Sequence, residues 1–167
     1  LWYTMEVVEG ASLDRVLSVA AEGRLPLGRP ARIVMETARV LAAAHTAGVT
    51  HRDVKPANIA LVTEPAPPLE ASAGTRRMLS SWTREPGTHG EVRVDRPRLM
   101  DFGLASDSAA GRLSESGMLI GTPGYMAPEQ FRGRPGEVGP ASDQWALGVV
   151  LYEALTGRLP FPGDDLP

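Results

Sequence analysis

Apolar positions recur at helical spacing in two long stretches of this chain and cluster at strand length in three shorter ones. Ile33, Val34, Ala38, Leu41 and Ala44 predict a helix that opens at Pro30, runs to about Ala47 and stops at Gly48. A second helix is expected from Ser142-Asp143 to Leu155, closed by Gly157. Its residues are apolar nearly all round (Trp145, Ala146, Leu147, Val149, Val150, Leu151, Tyr152, Ala154, Leu155), which places it in the middle of a domain. Ser12 is expected to cap a shorter helix from Leu13 to about Ala21, before a Gly- and Pro-rich loop from Gly23 to Pro30. Leu1 to Glu6 and Ile59 to Val62 read as strands, with Val92, Val94, Leu99 and Met100 as a hairpin partner of the second. Between them, residues 63–97 are broken by Pro65, Pro67, Pro68, Pro86 and Pro97 and lack periodicity, as in an exposed, disordered insertion. Asp101 to Glu129 is rich in turns, and no internal repeat is visible.

Composition narrows the chemistry. The 167 residues are 43% hydrophobic and 22% charged, ordinary for a chain that buries a core. A net charge of -3 gives no reason to expect nucleic acid or an anionic membrane as partner. The absence of cysteine removes disulfides and thiolate metal sites, and His45, His51 and His89 lack metal-ligand spacing. The longest apolar stretch, Trp145 to Tyr152, is far short of the roughly 20 residues a membrane span needs. No signal peptide is visible, and a cytoplasmic setting is the default, with any membrane anchor lying outside this segment.

Asp53, Lys55 and Asn58 fall within six residues, and Asp101 follows in Met100-Asp101-Phe102-Gly103. An acid to orient a hydroxyl, a cation near a transferring phosphate and two oxygen ligands for Mg²⁺ are what phosphoryl transfer needs. Singly these residues mean little: Asp53 alone would be a turn or cap aspartate, and a lone Asp-Phe-Gly is usually a turn. Their order is specific. His51-Arg52-Asp53-Val54-Lys55-Pro56-Ala57-Asn58, then Asp101-Phe102-Gly103, then Gly121-Thr122-Pro123-Gly124-Tyr125-Met126-Ala127-Pro128-Glu129 matches the protein-kinase signature set. The chain resembles bacterial (Hanks-type) serine/threonine protein kinases over almost its whole length, apart from 63–97.

That resemblance implies an α+β, protein-kinase-like fold: residues 1–10 as the last strand of one lobe and the hinge, and 11–167 as the mainly helical second lobe. It implies ATP and Mg²⁺ (Mn²⁺ as the alternative) as cofactors and protein Ser/Thr hydroxyls as acceptors. Asp53 matches the catalytic base, Lys55 the γ-phosphate contact, and Asn58 and Asp101 the metal ligands. Thr122 matches a threonine that bonds the catalytic Asp and Lys, and with Lys55 it points away from tyrosine acceptors. Met5 matches the gatekeeper, Glu6 and Val8 the hinge groups that meet adenine, and Ala60 and Met100 the adenine floor. Ala60 is smaller than usual there, so the floor is expected to be shallow; the alternative for Leu1–Glu6 is an ordinary buried strand. His51 matches a packing residue near Phe102 rather than an acid or base. Asp143 matches an aspartate that braces the catalytic-loop backbone and reads equally as a helix N-cap; the two are compatible, and neither makes it a chemical participant. Arg52 matches an arginine that pairs with an activation-segment phosphate, with Ser114 and Ser116 as autophosphorylation candidates, or simply solvated serines, and a kinase dimer as the arrangement for it.

No G-x-G-x-x-G occurs, and Lys55 is the only lysine. The Gly-rich loop, strand lysine and partner glutamate are therefore expected before Leu1, and the final helices after Pro167. Glu129 is then expected to lack the arginine that pairs with its counterpart in the family. Two functions follow: a segment of an active Ser/Thr kinase, or a truncated, inactive fragment that acts at most as a binding module. The isolated 167 residues are expected to be inactive. The insertion is expected to be a tolerated surface loop, with partner docking as the alternative.

Overall fold

The computed structural model describes residues 8–65, 93–102, 123–131 and 136–161. In chain order these form β1 (Ala11–Ser12), α1 (Leu13–Val19), a 3-10 turn at Ala21–Gly23, α2 (Arg29–Thr46), a 3-10 turn at Pro56–Asn58, β2 (Ile59–Pro65), β3 (Arg93–Leu99), a 3-10 turn at Pro123–Tyr125, α3 (Pro128–Phe131) and α4 (Pro140–Thr156). The expected strand at Leu1–Glu6 lies outside the described residues.

Three antiparallel strands lie in the order β1-β2-β3. The β2–β3 ladder runs from Ile59↔Leu99 to Pro65↔Arg93. The insertion is therefore shorter than the proline pattern suggests, because 63–65 and 93–97 belong to the sheet. Among the described residues β3 is an edge strand, where a proline such as Pro97 is tolerated. What remains of the insertion, 66–92, lies outside the described residues.

Ser12 departs from expectation in part. It pairs with Ala60 in β1 and makes no side-chain cap, so α1 starts without one and ends at Val19. α2 forms as expected, with Pro30 in the first turn, but its buried face is Ile33, Thr37 and Leu41, while Val34 and Ala44 are half-buried and Ala38 is exposed.

The main core joins Leu13 and Leu17 of α1, Leu25, Ile33 of α2, Ile59 and Leu61 of β2, and Val150 and Ala154 of α4. A second cluster holds Leu41, Val54, Ala146 and Leu147. Val54 stands between Asp53 and Lys55 in the chain and is buried. Burying such a side chain contributes about 1.5–3 kcal/mol, and it pins the loop by its middle while Asp53 and Lys55 stay accessible.

α4 corrects the expectation of burial on every side. Ala146, Leu147, Val149, Val150 and Ala154 are buried, but Trp145, Tyr152 and Leu155 are exposed. Trp145 stacks on Phe161 at 5.6 Å between ring centroids. Among the described residues no helix is long and apolar enough to cross a membrane.

Gly157 closes α4 with φ 74°, its N–H bonded to Glu153 O at 2.7 Å. A Cβ there would clash with Glu22 O, a backbone atom. Gly157→Ala combines a disfavoured φ with that clash and should destabilise the fold by about 2 kcal/mol or more. Urea unfolding would show the lower midpoint; an unchanged midpoint would contradict this packing of α4 on the 21–23 turn.

Candidate active site

The segment from His51 to Asn58 is held by groups far away in sequence. Asp143, 1% exposed, is the principal one. Its Oδ2 accepts from His51 N at 2.9 Å and pairs with His45 Nε2 at 2.8 Å; its Oδ1 accepts from Arg52 N at 2.7 Å. Hydrogen bonds to a carboxylate are stronger than neutral ones, and burial removes competing water. Asp143 thus braces the loop backbone. It is not the N-cap of α4: that position is Gly139, whose N–H donates to Ser142 Oγ at 3.2 Å, and Asp143 lies one turn inside.

Arg52 adopts φ 70°, a left-handed conformation costing a non-glycine residue about 1–2 kcal/mol. Asp143 holds its N–H, and Gln130 Nε2 donates to its carbonyl at 2.9 Å.

His51 is fully buried. Asp53 N donates to its Nδ1 at 3.2 Å, so the proton sits on Nε2, which donates to Met100 O at 2.8 Å. The ring meets Phe102 edge-on, centroids 4.8 Å apart. Both nitrogens are occupied by backbone, an arrangement of packing and alignment rather than proton transfer.

Asp53 and its neighbours form a tight polar cluster. Lys55 Nζ lies 2.7 Å from Asp53 Oδ2, and Asn58 Nδ2 donates to the same oxygen at 3.0 Å and to Asp53 O at 2.8 Å. The Asp53 side chain is 41% exposed, so the ion pair adds little stability. Its effect is orientation: Oδ2 is occupied, and Oδ1 is left out of these bonds. Met100 N donates to Asn58 O at 2.9 Å, which brings the Asp101 segment beside the loop. Asp101 itself is exposed and has φ 62°.

The donor set fits a hard, phosphate-sharing cation. Asn58 spends its amide NH₂ on Asp53, which keeps its Oδ1 out of those bonds. Among the described residues no group of three or more His, Cys, Asp or Glu could hold a metal by itself. One amide oxygen and one carboxylate suit Mg²⁺, which takes the rest of its shell from phosphate and water.

Ala60 is buried in β2, and Val8 and Met100 are half-buried. Met5, Glu6, Ser114, Ser116 and Thr122 lie outside the described residues. Glu129 is not without a partner: Ser142 Oγ donates to it at 2.6 Å, joining α3 to the start of α4. Two residues given no role in the site from sequence also hold it: His45 and Gln130, already described. Tyr125 ties the 123–125 turn to α4, its hydroxyl donating to Glu153 Oε2 at 2.6 Å. Burial, and then Glu153, push the Tyr125 phenol well above its ordinary range, so it remains a donor. His45 had a signal in sequence, as a histidine in the last turn of a helix just before the loop, whereas Gln130 had none.

Comparison with known proteins gives one consistent answer. The model of the family "Protein kinase domain" matches residues 1–166. The serine/threonine-protein kinase PknA of Mycobacterium tuberculosis is 37% identical over 163 residues, 98% of this chain and 30% of PknA. The serine/threonine-protein kinase pkn3 of Myxococcus xanthus is 39% identical over 169 residues, 99% of this chain and 25% of pkn3. Among solved structures, Rad53 1–466 in complex with AMP-PNP is similar with a TM-score of 0.57 and 26% identity, over 95% of this chain and 30% of that one. The chain thus spans less than a third of the length of these relatives.

Proposed function

This chain belongs to the protein kinase family, and from that premise we propose that it carries the catalytic loop of an ATP-dependent kinase for protein Ser/Thr hydroxyls. The observation that carries the proposal is the Asp53 cluster, with Oδ2 tied to Lys55 and Asn58 and the Asp101 segment joined to it through Asn58 O.

Asp53 Oδ1 accepts the hydrogen of the attacking hydroxyl and orients its oxygen toward the γ-phosphorus. The new O–P bond forms as the bond to the ADP oxygen breaks, and the proton passes to Asp53. Lys55, already within the cluster, stabilises the charge on the γ-phosphoryl oxygens. Mg²⁺, or Mn²⁺, when bound neutralises charge on the ATP phosphates, and Asn58 Oδ1 and the Asp101 carboxylate would hold it. Val8, Ala60 and Met100 are assigned to the adenine side of the site, a role the resemblance also gives Met5 and Glu6; the complex of the similar Rad53 with AMP-PNP supports a nucleotide as ligand. Thr122 and Lys55 favour Ser/Thr acceptors. Phosphorylation of Ser114 or Ser116 by a second copy, read by Arg52, belongs to the same proposal, as does a cytoplasmic setting.

Calorimetric titration of ATP into the native protein that carries this chain tests the metal assignment. Mg²⁺ should tighten ATP binding, and Asp101→Asn should cut that gain by at least about tenfold, since even outer-shell losses cost that much. Equal Mg²⁺ dependence in wild type and variant would remove Asp101 from the site. A second reading concerns the 167 residues alone. They contain no G-x-G-x-x-G, and Lys55 is their only lysine. Phosphate positioning is most of the catalysis, so by themselves they should transfer negligible phosphate.

A further inference from the structure

We propose that Gln130 is a positioning residue that sets the geometry of the Arg52–Asp53 peptide and so couples α3 to catalysis; this rests on the phosphotransfer role given to Asp53. The Gln130 side chain is buried and bridges two backbone groups. Its Oε1 accepts from Ala127 N at 2.9 Å, and its Nε2 donates to Arg52 O at 2.9 Å, 78 residues away in sequence.

The carbonyl it holds belongs to a residue at φ 70°. An arginine has no local reason to stay there, and its peptide would relax toward a right-handed or extended conformation if released. Asp143 fixes the N–H of Arg52, and Gln130 fixes the C=O. Together they clamp both peptide planes of the residue before Asp53. Without Gln130 the Arg52–Asp53 peptide keeps only the longer bond from Asp53 N to His51 Nδ1, at 3.2 Å, so it turns more readily about the Arg52 ψ, and that rotation swings the Asp53 carboxylate. A displacement of 1 Å at such a group costs on the order of a hundredfold in rate.

The second half of the bridge gives it direction. Ala127 is buried and immediately precedes α3. Glu129 of the same helix is tied to Ser142 in α4. The seating of 127–131 on α4 is thereby transmitted to the Asp53 peptide through one amide side chain. A shift of α3 by the length of a hydrogen bond releases the Arg52 carbonyl.

Kinetics of the native protein that carries this chain test this with Gln130→Met, which keeps the volume and removes both hydrogen bonds. The kcat should fall about 10- to 100-fold while KM for ATP stays within about twofold, because the loss falls on positioning rather than nucleotide binding. Amide exchange at Arg52 and Asp53 should quicken, with Val150 in α4 unchanged as the control for folding. Arg52→Asn supplies the discriminating background, since asparagine adopts the left-handed conformation more readily. The loss caused by Q130M should be clearly smaller in the R52N background than in wild type. A kcat within twofold of wild type, or the same loss in both backgrounds, would overturn the proposal. If the wild-type protein transfers no phosphate, the phosphotransfer reading fails instead. Unchanged Arg52 and Asp53 exchange in Q130M would then overturn the clamp by itself.

Discussion

Asp53→Asn should lower kcat for phosphate transfer by about 10²–10⁴-fold, the range expected for loss of a positioned base. The substitution is isosteric, so Val54 stays buried and the loop keeps its course. An amide cannot take the hydroxyl proton, and it places either an oxygen or an NH₂ where Lys55 and Asn58 now share one carboxylate oxygen. The nucleotide contacts assigned to Asn58, Asp101 and the adenine side are untouched. ATP affinity should therefore remain within about threefold, and the effect should appear in kcat rather than in KM for ATP. Steady-state kinetics on wild type and variant measure both numbers. Full turnover in the variant would remove Asp53 from the chemistry.

Asp143→Ala should damage stability and activity together. Three donors, His51 N, Arg52 N and His45 Nε2, converge on a carboxylate that is 1% exposed. Alanine leaves His51 N buried and Arg52 N and His45 Nε2 part-buried without this acceptor, for a loss of about 3 kcal/mol. Arg52 also loses half of what keeps it at φ 70°, so Asp53 shifts even in molecules that remain folded. Urea unfolding should show the stability loss. Activity measured well below the unfolding transition should still fall at least about tenfold. Normal turnover in the folded variant would mean that the brace serves stability alone.

The sequence carried the chemistry of this site better than its mechanics. Asp53, Lys55 and Asn58, which the structure gathers into one cluster with the Asp101 segment beside it, stood out because the residue types and spacing proposed for phosphoryl transfer are written locally. The long helices were legible for a similar reason: their apolar period and the closing Gly157 are local signals. The supports were not. Gln130 touches Arg52 from 78 residues away, and nothing in Pro-Glu-Gln-Phe marks an amide that will face a strained carbonyl. Asp143 could be read as a cap because a cap and a buried brace use the same residue near a helix start; only the position of Gly139 separates them. Ser12 takes the N-cap position of α1 as expected, yet it also pairs with Ala60 and makes no side-chain cap, since strand pairing is a tertiary event. The exposed row of Trp145, Tyr152 and Leu155 was likewise beyond the pattern: an apolar helix does not say which of its faces the rest of the described chain will cover.

The most direct measurement is phosphoamino-acid analysis after the native protein that carries this chain is incubated with Mg²⁺, γ-labelled ATP and a generic basic protein. Label is expected on phosphoserine and phosphothreonine and should be lost in the Asp53→Asn variant. Label on phosphotyrosine alone, or label that persists in the variant, would contradict the proposed function.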